Sequence, residues 1–215
     1  MFQAECPRPL LSDEINETIA NMFPGGDAVE LRSSDSVGSD DDAALSYPVE
    51  FLNTLTLSGM PPHILRLKVG MPVMLLRNLD PGSGHCNGSR YYVVAITPHL
   101  LEVRASPNSP SFFIPRVTLT PSDATLPFQL CRRQFPVRLA FAMTINKSQG
   151  QTYRYAGVYL PEPVFTHGQL YVATSRVGSA ADIKFCIAPN ALALHYYPER
   201  AYRITRNVVY TEVLQ

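Results

Sequence analysis

Between residues 66 and 120 the sequence consists of short β-type runs, each ended by a turn signal. The separating signals include Asp80-Pro81-Gly82, Asn87-Gly88 and Pro98. Asn-Gly is the strongest of these because both residues tolerate a positive φ. Runs so rich in branched and aromatic residues, at this spacing, predict a small antiparallel barrel or meander. The runs are LKVGMPVMLL, RYYVVAI, LLEVRA and FFIPRVTL.

After residue 135 the pattern changes to an alternation of strands and a helix. VRLAFAMTI, GVYL and DIKFCIA are apolar runs that predict three strands, and VVYTEVL near the end is a candidate for a fourth. THGQLYVATSRVG, residues 166–178, predicts a helix, with Thr166 and Gln169 as a capping box and Gly178 as its end. Strands that alternate with crossover segments predict a parallel α/β sheet.

The first 50 residues predict one helix and one irregular segment. Residues 12–23 have Ser12 as a candidate N-cap and an apolar stripe of Ile15, Ile19 and Met22. Residues 32–46 are rich in Ser and Asp, which predicts a loop or local disorder. We interpret the acidic run at 40–42 as a solvated surface rather than a metal site.

The formal net charge of zero conceals a polarity along the chain. Residues 1–50 contain 11 acidic and 2 basic residues, whereas residues 51–215 contain 7 acidic and 16 basic residues. A basic body suits phosphate binding, although a solvated surface is the alternative. Of the 18 basic residues 15 are Arg, which favours nucleic acid, since Arg binds phosphate in a bidentate manner and stacks on bases.

Composition also excludes several classes of protein. Four scattered cysteines without a CxxC pair favour an intracellular protein over a disulfide-stabilised one, and they predict no zinc site. No apolar stretch reaches the roughly 18–20 residues that a membrane span needs, so we expect no membrane association.

The polar loop NKSQGQT, residues 146–152, follows the first of the late strands. In an open α/β sheet, ligands bind at the carboxyl ends of strands, and this loop offers several donors with a glycine that permits close approach. It suits phosphate oxygens. It is not a Walker A loop, because the sequence contains no Gly-Lys dipeptide.

AFAMTINKSQGQT followed by PVFTHGQLYVATSRV closely resembles motifs V and VI of PIF-type (petite integration frequency) superfamily-one DNA helicases. The likeness includes plant, fungal and transposon-borne (Helitron) members. LKVGMPVMLLRNLDPGSGHCNGSR is similar to the SH3-like domain 2B that this family inserts into its second RecA-like domain, and SFFIPRVTLTPSD and RNVVY are also similar. The resemblance covers roughly residues 45–215.

The resemblance implies a fold and a domain organisation. The fold is α/β, a partial RecA-like parallel sheet of the P-loop NTPase type with an inserted SH3-like antiparallel barrel. Residues 1–65 would be the N-terminal part of the second RecA-like domain with an acidic loop. Residues 66–125 would be domain 2B, and residues 126–215 would carry motifs V and VI.

The resemblance also implies roles for individual residues. Thr144, Asn146 and Lys147 match positions that face single-stranded DNA, while Gln149 and Gly150 match positions that approach the nucleotide γ-phosphate. Asn146 stands where many members have His, so a titrating role is not expected there.

Arg176 matches the arginine finger, which stabilises charge on the transferring phosphoryl group. Its alternative role is to complement a helix dipole. If the helicase assignment is right, residues 142–152 and 171–177 line one crevice.

Other candidate residues have simpler interpretations. His167 lies beside the predicted helix start and is expected to be structural. Tyr91 and Tyr92 alternate along a strand, so one is expected in the core and the other exposed, where it could stack on a base.

The function implied by the family is ATP-dependent 5′-to-3′ unwinding of DNA in repair, recombination, replication or telomere maintenance. ATP and Mg²⁺ would be its cofactors, and single-stranded DNA and a first RecA-like motor domain its partners. Because no Walker A or Walker B segment is recognisable, we expect this chain to bind neither cofactor and to be inactive alone. The alternative is a non-catalytic module that binds single-stranded DNA or a partner helicase. The nucleus is the expected compartment, with the mitochondrion as the alternative.

Overall fold

The computed structural model describes residues 2–38, 47–121, 126–188, 205 and 207–210. The described chain forms two compact units, Met1–Asn21 with Phe141–Gln215, and Met22–Ala140. The three α-helices are α1 Pro9–Met22, α2 Val49–Thr54 and α3 Gln169–Thr174. The strands are β1 Phe2–Cys6, β2 Val29–Arg32, β3 Ser34–Val37, β4 Ile64–Leu67, β5 Pro72–Leu75, β6 Arg90–Ile96, β7 Leu100–Arg104, β8 Phe112–Pro115, β9 Val117–Leu119, β10 Leu130–Gln134, β11 Val137–Leu139, β12 Ala142–Thr144, β13 Tyr155–Leu160 and β14 Ile183–Ile187.

The first unit contains a four-stranded sheet in the order β12-β1-β13-β14, with all pairs parallel. Its apolar cluster includes Val158 and Leu160 from β13 and Ala173 from α3. The predicted parallel α/β architecture is therefore confirmed. β1 lies in the interior of the sheet, a strand that the sequence analysis did not predict.

Helix α1 shows a different buried face from the one predicted. It begins at Pro9, so Ser12 lies inside it, and the buried residues are Ser12, Asn16 and Ala20 rather than the isoleucines. Met22 is 78% exposed. The Asn16 amide explains the difference, because it donates to the Ala142 carbonyl (2.9 Å) and accepts from the Ala142 amide (2.8 Å). A polar side chain is thus buried to complete the hydrogen bonding of β12.

The second unit contains the predicted barrel strands. A five-stranded antiparallel sheet runs β11-β5-β6-β7-β8, and the β2-β4 pair contributes Leu31, Leu65 and Leu67 to the same core. Alternate residues of the five strands fill that core, as period-two strands with one buried face require. Asn87-Gly88 does lie in a turn, in which the Ser89 amide donates to the Cys86 carbonyl at 3.0 Å. Only Gly88 has a positive φ, +91°, so the turn is not the hairpin type with two positive φ angles that Asn-Gly favours.

The Ser- and Asp-rich segment is partly a strand. The prediction of a loop from residue 32 is wrong up to Val37, because β3 pairs with β10 in a three-stranded sheet, β3-β10-β9. The cause is distant in sequence: Asp35 is buried and accepts from the Arg132 guanidinium. The acidic run at 40–42 lies outside the described residues.

Two further predictions near the C-terminus are wrong. VRLAFAMTI is not one strand but two, β11 and β12, which belong to different sheets. Helix α3 covers only Gln169–Thr174 and follows Gly168, whose φ is +73°. No side chain caps its first turn, so Thr166 does not form the predicted capping box. The Gln169 side chain does reach back, accepting from the Phe165 amide at 3.1 Å.

The predicted boundaries at 65/66 and 125/126 differ from the limits of the compact units. Compactness does not assign a residue to a domain of a family, so those boundaries stay a prediction. Of VVYTEVL, residues 208–210 form no strand, and the rest lies outside the described residues. Within the described ranges, no helix combines the length and apolarity that crossing a membrane requires.

Candidate nucleotide- and DNA-facing site

The loop after β12 presents the residues that the sequence analysis selected for DNA binding. β12 is buried throughout and is followed by a short 3-10 helix, Ile145–Ser148. The Thr144 hydroxyl accepts from the Lys147 amide at 3.4 Å, so this buried residue caps the short helix. Asn146 and Lys147 are exposed. Of the three predicted DNA-facing residues, two are therefore exposed to solvent and the third shapes the loop.

A tight turn follows at residues 148–151. The Gln151 amide donates to the Ser148 carbonyl at 3.0 Å, and Gln149 has φ −55° and ψ 131°. Gly150 has φ +79°, which completes a type II turn and requires glycine at this position. A Cβ on Gly150 would meet no atom within 4 Å. The turn thus exposes Gln149 and Gly150, with open space through which a phosphate group could approach the backbone.

Arg176 holds both ends of this turn. Its Nη1 donates to the Ser148 carbonyl at 3.1 Å and to the Gln151 carbonyl at 2.9 Å. The Nε group donates to the Val172 carbonyl at 2.7 Å, and Nη2 donates to the Ser175 hydroxyl at 2.7 Å. The two segments predicted to line one crevice are therefore joined directly. The guanidinium is engaged with the backbone of the loop in this structure.

Glu5 is a site residue that the sequence analysis missed. It lies on β1 and is fully buried, and among the described residues neither carboxyl oxygen has a partner with hydrogen-bond geometry. Burial raises the pKa of the Glu5 carboxyl to about 7, while the Ser148 hydroxyl and the charge of Arg176 act to lower it. The Ser148 hydroxyl donates to the Ile145 carbonyl at 2.7 Å. The available signal was a glutamate inside the otherwise uncharged run FQAEC.

The residues with simpler interpretations also have defined positions. The His167 Nδ1 accepts from the Tyr210 amide at 2.9 Å, and the two rings stack with centroids 5.3 Å apart, a structural contact. Tyr91 is buried and bonds His85 Nδ1 at 2.7 Å, whereas Tyr92 is half-buried. If either tyrosine stacks on a base, it is Tyr92.

The arrangement fits one side of a nucleotide phosphate site. Backbone N–H groups of the open turn at Gly150 and the guanidinium of Arg176 are hydrogen-bond donors of the kind that phosphate oxygens bind. In the part of the chain that the structure describes, no three His, Cys, Asp or Glu side chains are grouped to hold a metal ion.

Comparisons with known proteins show a likeness that includes part of the second unit. The family model described as the DNA helicase Pif1 2B domain matches residues 50–96. ATP-dependent DNA helicase PIF1 of Homo sapiens is 32% identical over 72% of this chain, and that of Danio rerio is 35% identical over 79% of it. Each match spans 25% of the relative, so the chain spans about a quarter of the length of these proteins.

Solved structures extend the likeness to both units. The crystal structure of Bacteroides Pif1 bound to single-stranded DNA is 25% identical, with a TM-score of 0.62, covering 86% of this chain and 40% of that one. Pif1 helicase from Candida albicans is 24% identical, with a TM-score of 0.64, covering 86% and 45% respectively, and supports the fold alone. Over part of their length, this chain is homologous to the Pif1-type DNA helicases, and its residues 50–96 match the model of their 2B domain.

Proposed function

We propose that this chain supplies the second RecA-like domain and the 2B domain of an ATP-dependent 5′-to-3′ DNA helicase. The observation that best supports this proposal is that Arg176 donates hydrogen bonds to both ends of the turn at Gly150. This arrangement places the Arg176 guanidinium next to the exposed backbone at Gly150, so that both can contact the same phosphate group. Gln149 and Gly150 face the nucleotide, and Arg176 stabilises charge on it. Bound ATP with Mg²⁺ supplies the phosphoryl group that is cleaved.

In this proposal a first RecA-like motor domain holds the other side of the nucleotide and the metal ion. The chain alone neither hydrolyses ATP nor unwinds DNA. The complete helicase acts in repair, recombination, replication or telomere maintenance, in the nucleus or, as the alternative, in the mitochondrion.

Single-stranded DNA binding is the part of this function that the chain can perform by itself. Asn146 and Lys147 are exposed on the loop after β12, and Lys147 brings a positive charge to it. Phosphate contacts by such residues make the affinity fall as salt concentration rises.

The matched test compares Lys147→Ala with Lys184→Ala, since Lys184 is an exposed lysine of the same unit on β14. The affinity for a fluorescent oligo-dT is measured by anisotropy across a salt series. We expect K147A to reduce the slope of log affinity against log salt by roughly 0.7, the value for one phosphate contact on a single strand. K184A should leave the slope unchanged. Equal slopes for wild type and K147A would remove Lys147 from the DNA site.

A non-catalytic module that binds single-stranded DNA or a partner helicase is the second candidate. It is favoured by the engagement of Arg176 with four acceptors of its own chain. Both candidates predict that the chain alone does not hydrolyse ATP, and an ATPase assay with and without DNA tests that prediction. DNA-stimulated hydrolysis that disappears in Arg176→Ala would show that the chain is active by itself.

A further inference from the structure

The 3-10 helix Ile145–Ser148, which carries Asn146 and Lys147, ends on carbonyls that need donors from outside the helix. Gln151 supplies a donor to each of the last two. Its side-chain Nε2 donates to the Lys147 carbonyl at 3.3 Å, and its backbone amide donates to the Ser148 carbonyl at 3.0 Å. One residue therefore fixes the end of the short helix on which the two exposed DNA-facing candidates lie.

The side-chain amide of Gln151 is itself held in one orientation by Tyr153. The hydroxyl of this buried tyrosine donates to Gln151 Oε1 at 2.7 Å, and it lies 3.2 Å from Met143 Sδ on β12. If the amide were flipped, its oxygen would face the Lys147 carbonyl, and two acceptors cannot bond each other. The tyrosine hydroxyl therefore keeps Nε2 directed at the Lys147 carbonyl and ties the amide to the sheet.

The backbone of Gln151 is held as well. Its carbonyl accepts from Arg176 Nη1 at 2.9 Å, and the Arg176 carbonyl in turn accepts from the Tyr153 amide at 2.8 Å. The amide, carbonyl, Oε1 and Nε2 groups of Gln151 therefore all have partners. The roles that the family resemblance implies fall on Gln149 and Gly150, and they leave this use of Gln151 unexplained.

We propose that Gln151, oriented by Tyr153, is a positioning residue that directs Lys147 toward a phosphate group of single-stranded DNA. The peptide group after Lys147 is planar, so the direction of its carbonyl fixes ψ of Lys147 and the path of the loop. Without the bond from Gln151 that peptide group can rotate, and the loop no longer directs the ammonium group to one place. This inference rests on the proposed contact between Lys147 and DNA.

The test uses the full chain without nucleotide, titrated with fluorescent oligo-dT across a salt series. Gln151→Leu keeps a similar size and removes both side-chain hydrogen bonds without adding charge. We expect it to reduce the slope of log affinity against log salt by roughly 0.7, as Lys147→Ala does, because the same phosphate contact is lost. The double variant should show no further reduction, since the two residues act through one contact and their effects are not additive.

A second, milder variant tests the same arrangement from the other end of the amide. Tyr153→Phe keeps the ring and removes the hydroxyl that orients the Gln151 amide, so we expect a smaller reduction of the slope than Gln151→Leu gives. Tyr155→Phe is the matched control, because Tyr155 is an exposed tyrosine two residues further along the chain, and it should leave the slope unchanged. Thermal unfolding of each variant measures its stability separately from its affinity for DNA.

A purely structural role for Gln151 would lower thermal stability, or lower the affinity equally at every salt concentration, and would leave the slope as it is in wild type. That result would overturn the proposal, and so would a double variant whose slope falls further than that of Lys147→Ala. If Lys147→Ala itself leaves the slope unchanged, the proposed DNA contact is wrong and the inference fails with it. A slope that changes in Lys147→Ala but not in Gln151→Leu would count against Gln151 alone.

Discussion

Each of the two units buries an ionisable side chain, and the two side chains differ in how many hydrogen bonds they make. In the unit of residues 22–140, Arg132 is fully buried and donates to both oxygens of Asp35 and to the carbonyls of Leu52, Leu55 and Pro61. In the other unit, Glu5 is equally buried, and it accepts no hydrogen bond from the part of the chain that the structure describes.

This difference indicates that a buried ionisable group can serve either to fix the fold or to contribute to a functional site. A saturated network fixes one arrangement, and here it ties β3, β10 and the segment after α2 together. An unsaturated carboxyl costs stability and persists beside the loop whose turn Arg176 holds. We therefore expect the Arg132 network to be structural and the Glu5 carboxyl to contribute to the proposed site.

The largest expected effect comes from Asp35→Asn, which breaks the saturated network. The variant leaves Arg132 buried without its counter-charge, and loss of one partner of a buried pair typically costs about 3–5 kcal/mol. Urea denaturation monitored by circular dichroism measures the loss. Glu30→Gln is the control, because Glu30 pairs with Arg32 and Arg66 at the surface and should change stability little. If the two variants lost equal amounts of stability, the conclusion that the Arg132 network is the structural one would be wrong.

The second effect is a gain of stability in Glu5→Gln that depends on pH. The folded pKa of about 7 exceeds the ordinary 4.5, so the folded state holds its proton more tightly than the unfolded state. Wild-type stability therefore falls as pH rises from about 4.5 to about 7 and then stays level. Above pH 7 the variant should be more stable than wild type, by up to about 3 kcal/mol.

Urea denaturation at pH 5 and pH 8 measures this difference, with Glu17→Gln as the control. The advantage of Glu5→Gln should be small at pH 5 and large at pH 8. A variant less stable than wild type at pH 8 would mean that the ionised carboxylate has partners, and the contrast with Arg132 would disappear.

The smallest effect concerns a neutral contact in the barrel. Tyr91→Phe removes the hydrogen bond between the Tyr91 hydroxyl and His85 Nδ1, while the His85 ring still stacks on Phe112 with centroids 3.6 Å apart. A single neutral hydrogen bond contributes about 1 kcal/mol, so thermal unfolding should show a loss of that size. Tyr92→Phe, on the neighbouring half-buried tyrosine, should lose less. A larger loss for Tyr92→Phe would place the more important hydroxyl on the other face of β6.

The antiparallel sheet of the second unit could be predicted from the sequence because its signals are local. Strand runs and Asn87-Gly88 lie close together, and neighbouring strands pair in sequence from β5 to β8. β3 could not be predicted, since Asp35 is buried by Arg132, 97 residues later. β1 was missed for the same reason: its partners β12 and β13 are far along the chain.

The site could be predicted in part. The resemblance to motifs V and VI predicted that the turn at Gly150 and Arg176 lie together, and the structure joins them. The roles of Gln149, Gly150, Asn146 and Lys147 stay predictions. The engagement of Arg176 with backbone carbonyls depends on side-chain geometry, which spacing does not encode. The position of Glu5 beneath the loop depends on sheet order, which spacing does not encode either.

The strand order β12-β1-β13 also sets the sequence of events during synthesis. β1 leaves the ribosome before β12 and β13, both of which come more than 130 residues later. Residues 22–140 can fold while β1 has no hydrogen-bonding partner on either side, because domains generally fold as units as they emerge. The nascent chain must therefore hold β1 without its sheet partners until β12 and β13 have been made, and an early pairing of β1 with another strand in that interval would block formation of the parallel sheet.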